Sequence, residues 1–337
     1  MVIPQRKEKR GEMIEQPSNK TMMLFSGSSN TKLANKVADH LKTKLIDLEV
    51  KTFASGELYI RLKESARGGD CFVMQSHSGD INSTIMEHVL IIDALKRASA
   101  KRITAVLPFY PYSRQDKKAL PREPISARVI GDMFINAGAD RLVSLDLHSQ
   151  QIQGFIDKPF DHLTAMPLFD NHFQDKFKEP VTVVSPDAGG VKRATVLAKR
   201  LGAYVAFVHK KRDPKVHNVV EAHTVIGEVE GRHAILIDDI IDTGGTISAA
   251  SHVLKERGAL SVSVVATHGI FSEPSVERMI SAPIDEILVT DTVELNNNAV
   301  KIGKVEVVSV SSIIGEALSS IFSDDSVSEI FMGENVL

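Results

Sequence analysis

The sequence predicts an α/β protein of two tandem doubly wound domains, each with a mainly parallel sheet flanked by helices. The 337 residues exceed the length of one typical domain. Short apolar strands alternate with amphipathic helices in both halves, which is the pattern of parallel βαβ units. The predicted segments are an extension 1–21, a first domain 22–165, a second domain 166–304, residues 305–321 packed on the first domain, and a tail 322–337.

Composition excludes several classes of protein. A net charge of −3 provides no global basic surface for nucleic acid. No apolar run approaches the roughly 18 residues of a membrane span, and the first twenty residues mix acids and bases, unlike a targeting peptide. We expect those residues to be disordered. Cys71 is the only cysteine, which excludes an internal disulfide and predicts a reducing, cytoplasmic location.

In the first half, strands are predicted where apolar residues run without interruption and helices where they recur every three or four positions. Leu33 and Val37 mark the apolar face of the first helix, and residues 51–62 predict a hairpin that turns at Ser55-Gly56. The other predicted elements are strands 22–25, 71–75, 102–108 and 142–148 and helices 85–98 and 125–137.

A loop rich in aromatic and basic residues follows the strand 102–108. It reads Phe-Tyr-Pro-Tyr-Ser-Arg-Gln-Asp-Lys-Lys over residues 109–118. Aromatic rings beside Arg114 suit a nucleotide base and its phosphates at the carboxyl end of a strand. A solvated charge run is the ordinary interpretation of Lys117 and Lys118. The local sequence leaves both interpretations open.

Two further strand ends carry candidate metal ligands. The strand 142–148 places Asp146 and His148 on the same side, two residues apart. The strand 181–187 ends in Asp187, before Ala-Gly-Gly and a predicted helix 191–201. A lone histidine is more often a hydrogen-bonded structural residue, and Mg²⁺ prefers oxygen ligands. The local pattern therefore gives only weak support for metal binding by His148.

In the second half, the residues from 234 to 246 read Ala-Ile-Leu-Ile-Asp-Asp-Ile-Ile-Asp-Thr-Gly-Gly-Thr and predict a buried strand, a loop and the start of a helix. Gly244 and Gly245 can take positive φ and expose backbone N–H groups, which suits a phosphate beside a helix N-terminus. Asp238 and Asp239, expected at the carboxyl end of the strand, suit sugar hydroxyls. Further strands are predicted at 203–209, 262–271, 286–291 and 305–310, with a last helix 312–321 and a polar loop or lid from 210 to 224.

The thirteen-residue segment resembles the phosphoribosyl-diphosphate motif shared by type I phosphoribosyltransferases and ribose-phosphate diphosphokinases. From about residue 22 to about residue 321 the chain resembles the diphosphokinases, which make phosphoribosyl diphosphate from ATP and ribose 5-phosphate. The supporting segments are 25–28, 53–57, 111–118, 124–127, 146–148, 151–155, 184–190, 209–212 and 267–271. A phosphoribosyltransferase shares only the thirteen-residue segment from 234 to 246. The resemblance implies two domains of the type I phosphoribosyltransferase kind.

The resemblance also implies roles for particular residues. ATP is expected at Phe53, Ser55, Gly56, Glu57, Arg114, Gln115 and Asp116, partly contributed by a neighbouring subunit of a homo-oligomer, commonly a hexamer built from dimers. Mg²⁺ is expected near His148 and Asp187, and less firmly near Asp146. Ribose 5-phosphate is expected at Arg212, Asp238, Asp239, Asp242, Thr243, Gly244, Gly245 and Thr246. Lys210 and Arg212 are the expected catalytic residues, on a mobile loop.

Two alternatives remain at this point. If the protein is a phosphoribosyltransferase, the Arg114-Gln115 loop and the Lys210-Lys-Arg-Asp segment have no assigned function. A non-catalytic partner of the enzyme would be expected to lack residues such as His148 and Asp187, which are present.

Overall fold

A computed structural model describes residues 20–211 and 222–328. Its first half contains a six-stranded, wholly parallel sheet in the order β2-β1-β5-β6-β7-β8. The elements are β1 (Met22–Ser26), α1 (Thr31–His40), β2 (Leu45–Ile46), β3 (Leu48–Thr52), β4 (Leu58–Leu62), β5 (Asp70–Met74), α2 (Ile81–Arg97), β6 (Arg102–Leu107), α3 (Ser126–Ala137), β7 (Arg141–Leu145), a 3₁₀ helix (Gln150–Phe155) and β8 (Phe160–Leu163). Strands β3 and β4 form the predicted hairpin as a separate antiparallel ribbon.

The second half contains a seven-stranded sheet in the order β11-β10-β9-β12-β13-β14-β15, in which only β11 is antiparallel to its neighbour. The elements are α4 (Met166–Phe173), β9 (Val181–Ser185), α5 (Val191–Leu201), β10 (Tyr204–Lys211), β11 (Ala222–Ile226), β12 (His233–Ile241), α6 (Gly245–Glu256), β13 (Ser261–Gly269), α7 (Ser275–Ser281), β14 (Glu286–Thr290), α8 (Asn297–Ile302), β15 (Val305–Val308) and α9 (Ser311–Ser323). The predicted α/β class with two parallel sheets is confirmed.

Both sheets reverse their strand order at one point, which positions the candidate site. The chain moves outward from β1 to β2 and then returns to place β5 on the other side of β1. It repeats this with β9, β10 and β12. In open α/β sheets, ligands bind beyond the carboxyl ends of the strands at such a reversal. The second reversal lies between the strand that precedes Asp187 and the strand that carries Asp238 and Asp239.

The apolar core forms three regions. An inner cluster joins the two sheets through α1, α4, α5 and α9 and includes Leu24, Val143, Val183 and Ile237. An outer cluster covers the far face of the first sheet with α2 and α3, and another covers the far face of the second sheet with α6, α7 and α8. Because the inner cluster draws residues from both sheets, apolar burial holds them together.

The C-terminal segment divides between the two halves. We expected residues 305–321 to pack on the first domain, but β15 pairs with β14 and so extends the second sheet. Helix α9 does pack against α1, and Arg102 at the start of β6 donates to the Ile321 carbonyl at 2.8 Å. The short β15 has only four residues, so its sheet membership depends on the partner strand rather than on its own pattern. The domain boundaries themselves stay a prediction.

The crevice at the reversal of the first sheet is filled by the protein's own side chains. Glu87 of α2 accepts from the Ser28 backbone N–H at 2.8 Å and from the Ser28 hydroxyl at 2.6 Å. Gln75 accepts from the Ser29 N–H at 3.0 Å and donates to Glu87 at 3.0 Å. Gln75 and Glu87 are both buried. The Glu87 carboxylate and the Gln75 amide oxygen therefore occupy the two backbone donors, Ser28 N–H and Ser29 N–H, that could otherwise bind a ligand anion.

Two stacked, fully buried histidines lie behind the same sheet. His88 Nε2–H donates to the Val73 carbonyl at 3.1 Å, so His88 Nδ1 accepts from His77 Nε2–H at 3.3 Å. Burial lowers the pKa of His88 from 6.5 to about 3. The pKa of His77 is also lowered, mainly by burial and to a smaller extent by the neighbouring His88. Both rings are therefore neutral at pH 7 in the folded chain.

These histidines predict a loss of stability in mild acid. Because the folded pKa of His88 lies below the unfolded value of 6.5, the unfolded chain binds more protons as the pH falls from 6.5 towards 3. We expect His88 alone to lower the free energy of unfolding by about 2 kcal/mol between pH 7 and pH 5. Urea unfolding at both pH values measures this. The variant H88Q should lose about that much of the pH dependence, whereas the exposed control H252Q should keep it. An unchanged dependence in H88Q would contradict the assignment.

Among residues 20–211 and 222–328, no helix is both long enough and apolar enough to cross a bilayer.

Candidate active site

The acidic pair Asp238-Asp239 lies within β12 and is followed by the last two residues of the strand. We expected the strand to end at this pair, but β12 continues to Ile241, which pairs with Gly269 of the equally long β13. The sequence after the pair is Ile-Ile, which extends the buried run. Asp239 is buried while Asp238 is partly exposed, and both carboxyl groups contact the same guanidinium nitrogen, because Arg193 Nη1 lies 3.4 Å from Asp238 Oδ1 and 3.2 Å from Asp239 Oδ1.

The loop that follows has the predicted form of an anion site. Gly244 takes φ 71°, and Gly245 is the first residue of α6 and has no positive φ. Thr243 and Thr246 are exposed. Within the described residues, the backbone N–H groups of Thr243 and Gly244 have no hydrogen-bond acceptor. The loop thus presents free donors at the positive end of a twelve-residue helix.

Asp239 holds the side chains of His148 and Arg193 over this strand end. Its Oδ2 lies 2.8 Å from His148 Nδ1, and its Oδ1 lies 3.2 Å from Arg193 Nη1. Burial opposes its ionisation, but the His148 hydrogen bond and the Arg193 charge outweigh burial, so its pKa is lowered. Burial and the neighbouring Asp239 raise the pKa of Asp238. One carboxylate of the pair is therefore held ionised by contacts from other elements.

His148 and Asp187 each retain an atom that can bind a metal. The Asp239 carboxylate occupies His148 Nδ1, which leaves Nε2 of a half-exposed ring, and a carboxylate behind a ligating histidine is the common arrangement in metal sites. Asp187 Oδ1 accepts from the N–H groups of Gly189 and Gly190 at 2.8 and 3.0 Å, which leaves its Oδ2. This donor set fits a divalent cation.

A second group of potential ligands lies elsewhere. His172, Glu286 and Glu306 have ligand atoms within 4.8 Å of one another. Glu286 is the first residue of β14, so the group lies at the amino ends of the strands, whereas the Asp238-Asp239 pair lies near their carboxyl ends. Lys176 Nζ already lies 2.5 Å from Glu286 and 2.9 Å from His172. The Lys176 ammonium group thus supplies the positive charge there. The cluster of His172, Glu286 and Glu306 is separate from the candidate site.

Asp146 is buried between the two halves. Its Oδ2 accepts from the Ala165 N–H at 2.9 Å and from the Thr267 hydroxyl of β13 at 2.7 Å, while its Oδ1 has no hydrogen-bond partner. Its φ is 33°. The Asp146 side chain thus joins β7, the connection between the halves and the second sheet, and it stands two residues before His148. Metal binding by Asp146 stays a prediction.

The loop with Arg114 reaches across to the anion loop. Arg114 Nη2 lies 2.8 Å from Asp242 Oδ2, and Asp242 Oδ1 accepts from the Ser272 hydroxyl. Gln115 accepts from the Ser126 hydroxyl at 2.6 Å through its side chain, and Asp116 is half-buried. The predicted nucleotide loop and the predicted sugar-phosphate loop therefore meet within one chain.

Other predicted site residues do not join this cluster. Phe53, Ser55, Gly56 and Glu57 are exposed at the tip of the β3–β4 hairpin, where the Ser55 hydroxyl donates to Glu57 at 2.7 Å. In the described part of the chain no hydrogen bond or ion pair joins this tip to Arg114. Lys210 lies in β10, and Arg212 lies outside the described residues.

Sequence inspection missed Arg193, Thr267 and Ser272 as site residues. Arg193 lies in the first turn of α5, immediately after the Asp187 loop, so its place beside a strand reversal was the available signal. Thr267 and Ser272 contact acids 121 and 30 residues away along the chain. No local pattern indicates such distant contacts.

Comparison with known proteins identifies the family. Residues 22–138 match a family model described as the N-terminal domain of ribose phosphate pyrophosphokinase. Residues 214–332 match one described as the phosphoribosyl synthetase-associated domain. The chain belongs to the ribose-phosphate pyrophosphokinase family. This is the diphosphokinase family that the sequence motifs resemble, so that prediction is confirmed.

Individual members of the pyrophosphokinase family match almost the whole chain. A ribose-phosphate pyrophosphokinase of Corynebacterium glutamicum is 49% identical over 319 residues, which are 94% of this chain and 98% of that protein. The Streptomyces coelicolor protein is 47% identical over the same shares. The crystal structure of the Mycobacterium smegmatis phosphoribosylpyrophosphate synthetase has a TM-score of 0.85 at 44% identity, covering 90% of this chain and all of that one.

Proposed function

We propose that this pyrophosphokinase transfers the diphosphoryl group of ATP to the C1 hydroxyl of ribose 5-phosphate, forming phosphoribosyl diphosphate and AMP for nucleotide biosynthesis. The observation that supports this best is the meeting of the two loops. Arg114 of the aromatic and basic loop contacts Asp242 of the anion loop at 2.8 Å. A transfer between two phosphate-bearing substrates requires their sites to be adjacent.

The chain's residues have distinct parts in this proposal. The free N–H groups and hydroxyls of the loop from Asp242 to Thr246 bind the sugar phosphate, and Asp238 and Asp239 accept from its ribose hydroxyls. Arg114, Gln115 and Asp116 bind ATP. Lys210 and Arg212 neutralise the phosphoryl oxygens. Because phosphoryl transfer depends mainly on alignment and charge neutralisation, this set needs no covalent intermediate.

The proposal includes Mg²⁺, which His148 and Asp187 would bind. Each has one atom free to bind it, and Asp239 fixes the His148 ring with Nε2 available. When bound, the ion would neutralise charge on the ATP phosphates. The hydrogen bond from His148 Nδ1 to Asp239 fixes the orientation of the ring.

The exposed β3–β4 tip suggests how a neighbouring subunit participates. Phe53 is 54% exposed at this tip, so its ring is accessible to another subunit. We infer a homo-oligomer, in which dimers assemble into a hexamer and Phe53, Ser55, Gly56 and Glu57 complete the ATP site of another copy. The cytoplasmic location predicted from the lone cysteine is kept with this proposal.

The function is tested by incubating the purified chain with ATP, Mg²⁺ and ribose 5-phosphate while AMP and phosphoribosyl diphosphate are quantified together. We expect equal amounts of both products and none when any component is omitted. AMP rather than ADP distinguishes diphosphoryl transfer from an ordinary kinase step. Folded protein without turnover would favour the non-catalytic partner. Consumption of phosphoribosyl diphosphate only when a nucleobase is added would favour a phosphoribosyltransferase.

A further inference from the structure

Asp242 presents a physical problem in the proposed site. It precedes the free N–H groups of Thr243 and Gly244, where a ligand phosphate is expected. A bare carboxylate there would repel that phosphate. Its neighbours resolve the problem, because Arg114 lies 2.8 Å from Asp242 Oδ2 and so makes the pair neutral overall.

The Asp242 carboxylate is fixed much more firmly than the Arg114 guanidinium. Ser272 donates its hydroxyl to Asp242 Oδ1 and its backbone N–H to the Asp242 carbonyl at 3.2 Å. The preceding Phe271 is fully buried, and Asn296 donates to the Ile270 carbonyl at 2.8 Å. Ser272 thus holds Asp242 directly, Asn296 anchors the segment before Ser272, and the Asp242 side chain is only 19% exposed.

Arg114 is the less constrained member of the pair. Its side chain is 56% exposed, and it stands on an open loop beyond β6. Of its donors, only Nη2 contacts a described residue, the Asp242 carboxylate. A guanidinium carries five N–H donors in a rigid fork, so the remaining donors stay available for an anion such as a nucleotide phosphate.

From this geometry we propose that Asp242 is a positioning residue for Arg114 and thereby contributes to ATP binding from the sugar-phosphate side of the site. The rigid carboxylate holds one edge of the guanidinium, so the other donors face the nucleotide site before ATP arrives. Pre-ordering a flexible, exposed side chain reduces the entropy that binding must cost. The inference rests on the proposed function, because it takes Arg114 as a ligand of ATP.

The test measures the KM for ATP and the KM for ribose 5-phosphate separately in the variant D242N. This substitution keeps the size of the side chain and removes its charge. We expect the KM for ATP to rise about fivefold, which corresponds to the loss of an exposed ion pair of about 1 kcal/mol. In an R114A background, the same D242N change should leave the KM for ATP unaltered, because its effect acts through Arg114. S272A should also raise the KM for ATP, but by a smaller factor than D242N does.

The matched control is D93N, which removes the carboxylate of the exposed Asp93–Arg97 pair on α2. It should leave both KM values unchanged. A role for Asp242 in binding only the sugar phosphate would raise the KM for ribose 5-phosphate and leave that for ATP unaltered, which would overturn the inference. An additive loss in the R114A, D242N double variant would also overturn it. Absence of diphosphokinase activity in the unaltered chain would instead refute the proposed function.

Discussion

Replacement of Asp239 by asparagine is expected to lower kcat/KM by about 10- to 100-fold, the usual cost of losing the carboxylate behind a metal-binding histidine. The carboxylate holds His148 at 2.8 Å and Arg193 at 3.2 Å. An asparagine can accept from only one of them through its oxygen, and its amide donors face the other cation. The His148 ring then loses its fixed orientation, and Arg193 is left partly buried without its full counter-charge.

The measurement is a set of steady-state kinetics at increasing Mg²⁺. We expect D239N to need more Mg²⁺ for half-maximal activity and to regain part of its rate at high concentrations. The control D132N removes the carboxylate of the exposed Arg128–Asp132 pair on α3 and should behave like the unaltered chain. A D239N enzyme with the same Mg²⁺ requirement and kcat/KM would exclude the proposed support of His148.

Replacement of Asp146 by alanine is expected to destabilise the fold by about 3 kcal/mol, because it leaves two buried donors without an acceptor. These donors are the Ala165 N–H and the Thr267 hydroxyl, at 2.9 and 2.7 Å from Asp146 Oδ2. Position 146 also has a positive φ, which aspartate and asparagine tolerate better than alanine does. The midpoint of urea unfolding, followed by circular dichroism, measures the change.

Two further variants separate the causes of that change. D146N keeps an acceptor and removes the charge from a carboxyl whose Oδ1 has no partner, so we expect less than about 1 kcal/mol of destabilisation. T267V removes only the hydroxyl and leaves the Ala165 contact in place, and it should cost about 1 kcal/mol. Equal losses in D146A and D146N would show that the charge of Asp146, rather than its hydrogen bonds, stabilises the junction.

Sequence patterns predicted those features that depend on neighbouring residues. The uninterrupted apolar run before Asp238 predicted a buried strand, and the Gly244-Gly245 pair predicted a turn into a helix. Such local signals also located the β3–β4 hairpin. They overlooked β2, which has only two residues and exists because β1 lies beside it.

Contacts between distant residues could not be predicted in this way. His148 and Asp239 lie 91 residues apart, and Arg114 and Asp242 lie 128 apart. Nothing in either local sequence indicates its partner, because the meeting is produced by the packing of two sheets. The extra strand length after Asp239 was missed for a related reason, since it depends on the equal length of β13.

The filled crevice of the first sheet has a thermodynamic consequence. There, Glu87 serves as an internal anion for Ser28, so these two Ser28 donors are satisfied without a solute anion. The open loop at Gly244 lacks such an anion. A ligand that saturates it at a hundred times its Kd would raise the free energy of unfolding by about 2.7 kcal/mol. The two similar sheets therefore differ at their strand ends: the Ser28 donors after β1 are paired within the chain, whereas an anion bound at the loop after β12 would add to the stability of the fold.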